Sequence, residues 1–86
     1  MSRTLIIIPT YNERDNLTPL STQIHEALPA ADILIVDDNS PDGTGQLADS
    51  LAVKHSYIQV MHRQGKLGLG TAYIAGFRHA ISCGYD

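Results

Sequence analysis

The chain has 86 residues, 43% of them hydrophobic and 17% charged, which fits one folded domain at most and excludes a disordered segment. Its formal net charge of −3 gives no reason to expect nucleic acid or an anionic membrane surface as a partner of the chain as a whole. Cys83 is the single cysteine, which excludes an intrachain disulfide and favours a reducing, cytoplasmic setting.

The first element is predicted to be a strand over residues 5–8, because this apolar run is β-branched and lacks alternation, as in strands buried on both faces. A helix is predicted to follow, with Asn16 as its N-cap, Pro19 in its first turn and Pro29 just beyond its end. The apolar residues of this helix recur at helical spacing and are Leu17, Leu20, Ile24 and Leu28.

A second buried strand is predicted over residues 33–36. The polar loop over residues 37–43 contains a Ser-Pro-Asp-Gly sequence, which is typical of a type I turn. The next helix is predicted over residues 44–54, and its apolar face consists of Leu47, Ala48, Leu51 and Ala52.

A third strand is predicted over residues 57–61, followed by a basic, glycine-rich loop over residues 63–70. Thr71 is the predicted N-cap of the third helix, and Gly84 its C-terminal stop. The residues expected to face inward from this helix are Tyr73, Phe77, Ala80 and Ile81.

The predicted order β-α-β-α-β-α indicates a three-layer α/β fold with a parallel sheet and right-handed crossovers. Ligands bind such sheets at the carboxyl ends of the strands. All three strand-to-helix loops open at that edge, and they are also the most unusual stretches of the sequence.

The first loop, PTYNER over residues 9–14, offers Tyr11 to flank a base and Glu13 to accept hydrogen bonds; a polar loop with a helix cap explains it equally well. In the second loop, Asp37 and Asp38 directly follow an apolar strand, where carboxylates need hydrogen bonds, a metal or a ligand. An acid at this position can accept from ribose hydroxyls.

The third loop combines Arg63 and Lys66 with glycines that let the backbone approach a phosphate ahead of a helix N-terminus. An ordinary glycine-rich turn remains an alternative. The four histidines share no metal-ligand spacing and are assigned no role; His25 and His79 are expected to face solvent.

Parts of the sequence also fit three other functions. A response-regulator receiver is disfavoured because a complete strand and helix precede the Asp37-Asp38 pair, and no aspartate lies between residues 54 and 82. A dinucleotide-binding oxidoreductase is disfavoured because Tyr73 replaces the third glycine of its fingerprint, which also follows the wrong strand. A module that binds a nucleotide or partner without chemistry stays open.

Together, PTYNER at residues 9–14, VDDNSPDGT at residues 36–44 and GLGTAYIAGF at residues 68–77 resemble the inverting family-2 glycosyltransferases. The match is closest to the polyprenyl-phosphate (dolichyl-phosphate) mannose synthases and covers about residues 5–80. The resemblance implies the N-terminal, nucleotide-binding half of a Rossmann-like GT-A domain.

The resemblance also implies an enzyme that transfers mannose from GDP-mannose to a polyprenyl phosphate. We expect the full-length enzyme to be peripherally associated with the cytoplasmic face of a membrane, and this chain to carry no signal peptide or transmembrane segment. The alternatives are a family-2 transferase with a UDP-sugar donor, or a catalytically inert nucleotide-binding fragment.

Residue by residue, the resemblance implies that Pro9, Tyr11 and Glu13 contact the guanosine, and that Val36 and Asp38 flank the base and ribose. Asp37 is a further candidate for the nucleotide-sugar site. The third loop is expected to shape the donor pocket or the approach of the lipid phosphate, through Lys66, Gly68 and Gly70.

The family's metal-binding Asp-x-Asp motif lies after the next strand, whereas this sequence ends at Asp86. Residues 1–86 are therefore expected to be the N-terminal part of one family-2 domain, truncated before that motif, with no metal ligand of their own. A divalent cation, Mg²⁺ or Mn²⁺, is expected in the full-length enzyme to neutralise the leaving diphosphate, and the isolated chain is expected to be inert.

Overall fold

A computed structural model describes residues 4–64 and 69–85. The three strands form one parallel sheet in the order β1-β2-β3, which confirms the predicted α/β architecture. The elements in chain order are β1 (Leu5–Thr10), α1 (Arg14–Ala27), β2 (Asp32–Asp37), α2 (Thr44–Lys54), β3 (Ile58–His62) and α3 (Leu69–Ser82).

Strand β2 is the centre of the molecule, and its side chains alternate between two apolar cores. Ile33 and Ile35 face α1 and α2, together with Leu17, Ala48 and other apolar residues. Leu34 and Val36 face α3 on the opposite side of the sheet. Because both faces are covered, residues 33–36 are completely buried, which is why the strand carries no apolar-polar alternation.

Helix α1 begins at Arg14, with Glu13 as its N-cap, so the prediction that Asn16 caps it is wrong. Pro19 accordingly lies inside the helix instead of in its first turn. Of the predicted apolar stripe, Leu17 is buried, while Leu20 and Leu28 are 41% and 52% exposed.

Helix α3 packs on the sheet through small residues, so the predicted inward face is wrong. Tyr73 and Phe77 are 41% and 57% exposed, whereas Ala72 is completely buried. A Cβ added to Gly76 would lie 2.8 Å from two side-chain atoms of Ile7, which leaves no room for a larger residue. The large apolar side chains of α3 therefore turn outward, because the helix approaches β1 too closely to place them beneath it.

Gly84 ends α3 as predicted. Its φ of 82° is in the left-handed region, which glycine adopts without strain. The Tyr85 N–H donates to the Ala80 carbonyl at 2.9 Å and the Gly84 N–H to the Ile81 carbonyl at 3.2 Å, the pair of bonds that defines a Schellman motif.

Neither helical histidine is a free surface residue, contrary to expectation. The His25 ring stacks on Tyr57 at a centroid distance of 3.8 Å, and His79 Nε2 lies 2.8 Å from Gln59 Oε1. Within residues 4–64 and 69–85, the helices are too short or too polar to cross a membrane.

Candidate functional site

The carboxyl ends of the three strands bring three polar side chains into a row. The sheet register aligns Thr10 with Asp37, and Asp37 with His62. The residues that follow are Tyr11, Asp38 and Arg63, so each strand delivers its next residue to the same edge. The expected convergence of the three loops is thereby confirmed.

Asp37 is used by the fold. Its side chain lies on the α1 and α2 side of the sheet and is 1% exposed. Oδ1 accepts from the hydroxyl of Thr10 at 2.8 Å and from that of Ser40 at 2.6 Å, and Oδ2 accepts from the Ser40 N–H at 3.1 Å. These charge-assisted bonds satisfy the buried carboxylate, so Asp37 organises the second loop and presents no free oxygen surface to a ligand.

The second loop supplies the cap that α1 lacks. The N–H groups of residues 12, 13 and 14 donate in turn to Ser40 Oγ at 3.0 Å, Thr44 Oγ1 at 3.0 Å and Asp42 Oδ2 at 3.2 Å. The last two belong to the N-cap and the first residue of α1, whose N–H groups have no intrahelical partners. The first two loops are therefore fixed to each other before any ligand is present.

Asp42 also organises the start of α2. Its Oδ1 accepts from both the hydroxyl and the N–H of Thr44, the first residue of that helix. The Thr44 hydroxyl, followed by backbone N–H groups of the two helix starts, holds the pKa of the Asp42 carboxyl below its ordinary value of 3.8. Its negative charge also lies where the helix dipole favours an anion.

Asparagines shape both loops at their tightest points. Asn12 and Asn39 have φ values of 57° and 55°, in the left-handed region that asparagine tolerates better than most residues. The Asn39 side chain also donates to the Gln64 carbonyl at 3.3 Å. Neither asparagine was predicted to have this role, although an asparagine two residues past a strand could have indicated such a turn.

Asp38 lies on the opposite side of the sheet from Asp37, next to Val36 in the pleat and toward α3. It is 6% exposed, and its Oδ1 is 2.9 Å from Arg63 Nε. Arg63 Nη2 in turn donates to the Thr71 hydroxyl in the first turn of α3 at 2.7 Å. The sequence indicated Arg63 only as a source of charge in the third loop and gave no sign of this pairing.

The other residues of the predicted donor site take different positions. Tyr11 is 37% exposed at the sheet edge, and Pro9 is partly buried in β1. Glu13 is partly buried, and its Oε2 accepts from Asn16 Nδ2 at 3.3 Å. The side chain of Val36 is completely buried, so any contact of this residue with a ligand would come from its backbone.

The structure describes only part of the glycine-rich loop. Lys66 and Gly68 lie outside the described residues. Gly70 belongs to the first turn of α3, and a Cβ built on it would meet no atom within 4 Å. Its backbone is not left-handed, so the fold alone does not require glycine at this position.

The residues that the structure describes do not form a site for a divalent cation. In the described part of the chain, no three of the histidine, cysteine, aspartate and glutamate side chains come together as metal ligands. At the sheet edge, Asp37 faces the hydroxyls of Thr10 and Ser40 and Asp38 faces the guanidinium of Arg63, so the two carboxylates do not converge on one point.

A groove of about 510 Å³ lies beside the start of α2, and its lining includes Arg14, Pro41, Asp42 and Gln46. Neither Tyr11 nor Asp38 lines it. We therefore place the candidate site at the sheet edge, where an exposed ring, a carboxylate and two pre-organised loops meet, an arrangement suited to the base and hydroxyls of a nucleotide.

The chain is similar in sequence to known glycosyltransferases. The family model described as "Glycosyl transferase family 2" matches residues 5–82. The polyprenol monophosphomannose synthase of Mycolicibacterium smegmatis is 56% identical over 85 residues, which are 98% of this chain and 32% of that protein. The undecaprenyl-phosphate mannosyltransferase of Micrococcus luteus is 51% identical and is matched over 98% of this chain and 35% of its own length.

A more distant relative and a solved structure are also mannosyltransferases. The dolichol-phosphate mannosyltransferase of Pyrococcus furiosus is 44% identical over 77 residues, 87% of this chain and 22% of that protein. The mannosyltransferase PcManGT from Pyrobaculum calidifontis, in complex with GDP-Man and Mn²⁺, superposes with a TM-score of 0.80 at 26% identity, covering 91% of this chain and 24% of that one. The chain thus spans about a third or less of the length of these proteins.

Proposed function

The chain belongs to glycosyl transferase family 2, and we propose that it supplies the N-terminal, nucleotide-binding part of an enzyme that transfers mannose from GDP-mannose to a polyprenyl phosphate. The observation that carries the proposal is that Tyr11 and Asp38 directly follow the paired ends of two neighbouring strands, in a chain whose relatives bear the names of polyprenyl-phosphate mannosyltransferases. The GDP-Man held by the structural neighbour supports this donor.

In this proposal the residues bind and orient the donor. The half-exposed ring of Tyr11 flanks the guanine, with Pro9 framing it from β1. Asp38 accepts hydrogen bonds from the base or ribose, with the Val36 backbone beside it. Glu13 accepts hydrogen bonds from other donor groups of the base or sugar. Lys66, Gly68 and Gly70 are proposed to shape the donor pocket or the approach of the lipid phosphate.

The complete enzyme is proposed to use a divalent cation, Mg²⁺ or Mn²⁺, which would neutralise the leaving diphosphate when bound. The Mn²⁺ held by the structural neighbour supports this. Because the described residues offer no such site, we expect its ligands elsewhere in the enzyme. Because the proposed acceptor is a lipid phosphate, we also propose that the complete enzyme associates peripherally with the cytoplasmic face of a membrane.

The test is a calorimetric titration of the chain with GDP and, in parallel, UDP. GDP is expected to bind more tightly, and both Tyr11→Ala and Asp38→Asn are expected to weaken it by about tenfold, since each removes about 1.4 kcal/mol of contact. Tyr73→Ala is the matched control, because Tyr73 is similarly exposed, at 41% against 37% for Tyr11, but lies on α3.

Preference for UDP would instead support a family-2 transferase with a uridine donor. Binding of neither nucleotide to a chain shown to be folded would contradict the assignment of this edge as the donor site. Equal loss of affinity in Tyr73→Ala would show that the ring at residue 11 makes no specific contact.

A further inference from the structure

Arg63 connects two parts of the candidate site that are distant in sequence. It is the first residue after β3, and its backbone N–H donates to the Asp37 carbonyl at 2.8 Å. Its guanidinium reaches Asp38 through Nε, at 2.9 Å, and the Thr71 hydroxyl through Nη2, at 2.7 Å. One side chain therefore spans the carboxylate that follows β2 and the beginning of α3.

Because it is buried, the ion pair between Arg63 and Asp38 can hold the Asp38 carboxylate in one orientation. The side chains of Arg63 and Asp38 are 9% and 8% exposed, so water screens their attraction weakly. A carboxylate this deeply buried requires a partner, and removing one member of such a pair leaves an uncompensated charge. Lysine cannot reproduce the contact, because it presents one compact charge instead of a planar fork that reaches two acceptors.

We propose that Arg63 is a positioning residue of the donor site: it fixes the orientation of the Asp38 carboxylate and ties it to the start of α3 through Thr71. The inference rests on the proposed function, in which Asp38 contacts the nucleoside. Arg63 itself is not a phosphate ligand here, because its guanidinium is buried and already engaged at two of its nitrogen atoms.

The test compares GDP affinities of the 86-residue chain and its variants by calorimetry. Arg63→Gln is expected to weaken binding about tenfold or more, Arg63→Lys to restore only part of that loss, and Thr71→Val to weaken it about threefold. Arg78→Gln is the matched control, because it removes the same charge from a side chain that lines the same cavity of about 340 Å³ but lies at the surface of α3. Its affinity should stay within about twofold of the unsubstituted chain.

Two readouts separate positioning from a general structural effect. In the Asp38→Asn background, Arg63→Gln should weaken GDP binding by less than about twofold, because the residue acts through the missing carboxylate. Loss of affinity should also be the same for guanosine as for GDP, measured by NMR titration. A larger loss for GDP would mean that the guanidinium contacts the diphosphate, which overturns the inference.

The outcomes distinguish this inference from the proposed function. If the unsubstituted chain does not bind GDP, the donor-site assignment itself fails. If the unsubstituted chain binds GDP and Asp38→Asn weakens it while Arg63→Gln does not, only the positioning role fails. If Arg63→Gln does not fold, the decision falls to Thr71→Val and Arg63→Lys, and unchanged affinity in both contradicts the role.

Discussion

Asp37 and Asp38 are neighbours in sequence, but the pleat of β2 sends them to opposite faces of the sheet. Asp37 meets hydroxyl and N–H donors from the loops on the α1 and α2 side. Asp38 meets the guanidinium of Arg63 on the α3 side. One carboxylate therefore holds the loops together, and the other lies at the edge that we propose as the donor site.

The role of Asp37 predicts a loss of stability. Asp37→Asn replaces one carboxylate oxygen by an NH₂ group, which cannot accept hydrogen bonds from Thr10 or Ser40. We therefore expect the free energy of unfolding to fall by about 2 kcal/mol. Chemical denaturation measures this. The control is Asp49→Asn, because Asp49 is 57% exposed and its ion pair is with the exposed His62. Equal effects of the two substitutions would contradict the assignment of Asp37 to the fold.

The lowered pKa of Asp42 predicts a pH dependence of stability. Because its pKa is lower in the folded state than the ordinary 3.8, the ionised carboxylate stabilises the fold above that pH. This contribution is lost as the pH falls through the folded-state pKa. The difference in unfolding free energy between the unsubstituted chain and Asp42→Asn should therefore shrink below about pH 4. A difference that stays constant down to about pH 2 would be inconsistent with this role.

At the scale of the elements, the close approach of α3 to β1 determines which residues the helix can bury. Gly76 sits against Ile7, and Ala72 against Leu34 and Val36. The larger apolar residues of α3 remain on the outside, where Ile81 is 77% exposed.

Two glycines of α3 should respond to alanine with opposite signs. Gly76→Ala is expected to lower the unfolding free energy by about 1–2 kcal/mol, since the new Cβ would lie 2.8 Å from Ile7. Gly70→Ala should raise it by up to about 1 kcal/mol, because alanine favours the helix and nothing lies within 4 Å. Denaturation curves measure both changes.

A double-mutant cycle identifies the cause of the Gly76 effect. In the Ile7→Ala background the penalty of Gly76→Ala should largely disappear, because the opposing side chain is gone. A penalty that is unchanged in that background would show that the helix does not pack on β1 through these two residues.

At the scale of the molecule, a hydrogen-bonded chain holds the sheet and α3 together at the edge opposite the candidate site. Tyr85 O–H donates to Asp32 Oδ2 at 2.5 Å, and Gln59 Nε2 donates to the Tyr85 oxygen at 2.7 Å. Gln59 Oε1 in turn lies 2.8 Å from His79 Nε2 in the last turn of α3. The C-terminal end of α3 is thereby bound to β2 and β3.

Removing this hydroxyl should destabilise the whole domain. Tyr85→Phe is expected to lower the unfolding free energy by about 1–2 kcal/mol, because it removes the hydroxyl that a partly buried amide and a partly buried carboxylate share. Tyr73→Phe, at an exposed position of α3, should change it by less than about 0.5 kcal/mol. Similar values for the two would show that the chain of bonds does not support the fold.

Nucleotide binding by this chain should not depend on a metal. The described residues bring no metal-binding cluster together, so GDP affinity is expected to stay within about twofold after EDTA treatment, about the error of such a comparison. Calorimetry with and without Mn²⁺ tests this. A marked loss of affinity on chelation would place a cation site within these residues.

The sequence by itself determined the order of the elements, the parallel sheet and the edge at which the loops meet. Runs such as residues 33–36 and the spacing of residues 44–54 are local patterns, and the backbone responds to them locally. Gly84 as the end of α3 belongs to the same class, because a left-handed C-cap depends on one residue. The motifs of the loops likewise indicated the family to which the chain belongs.

The tertiary structure alone decided which loop residues are engaged by the fold and by which partners. The start of α1 depends on Thr44, which is 31 residues from its partner Glu13, and the inward face of α3 depends on Ile7. The different environments of the Asp37 and Asp38 carboxylates depend on Thr10 and Ser40 for the first and on Arg63 for the second. These outcomes arise from contacts between distant segments, whose distances and burial no local pattern encodes.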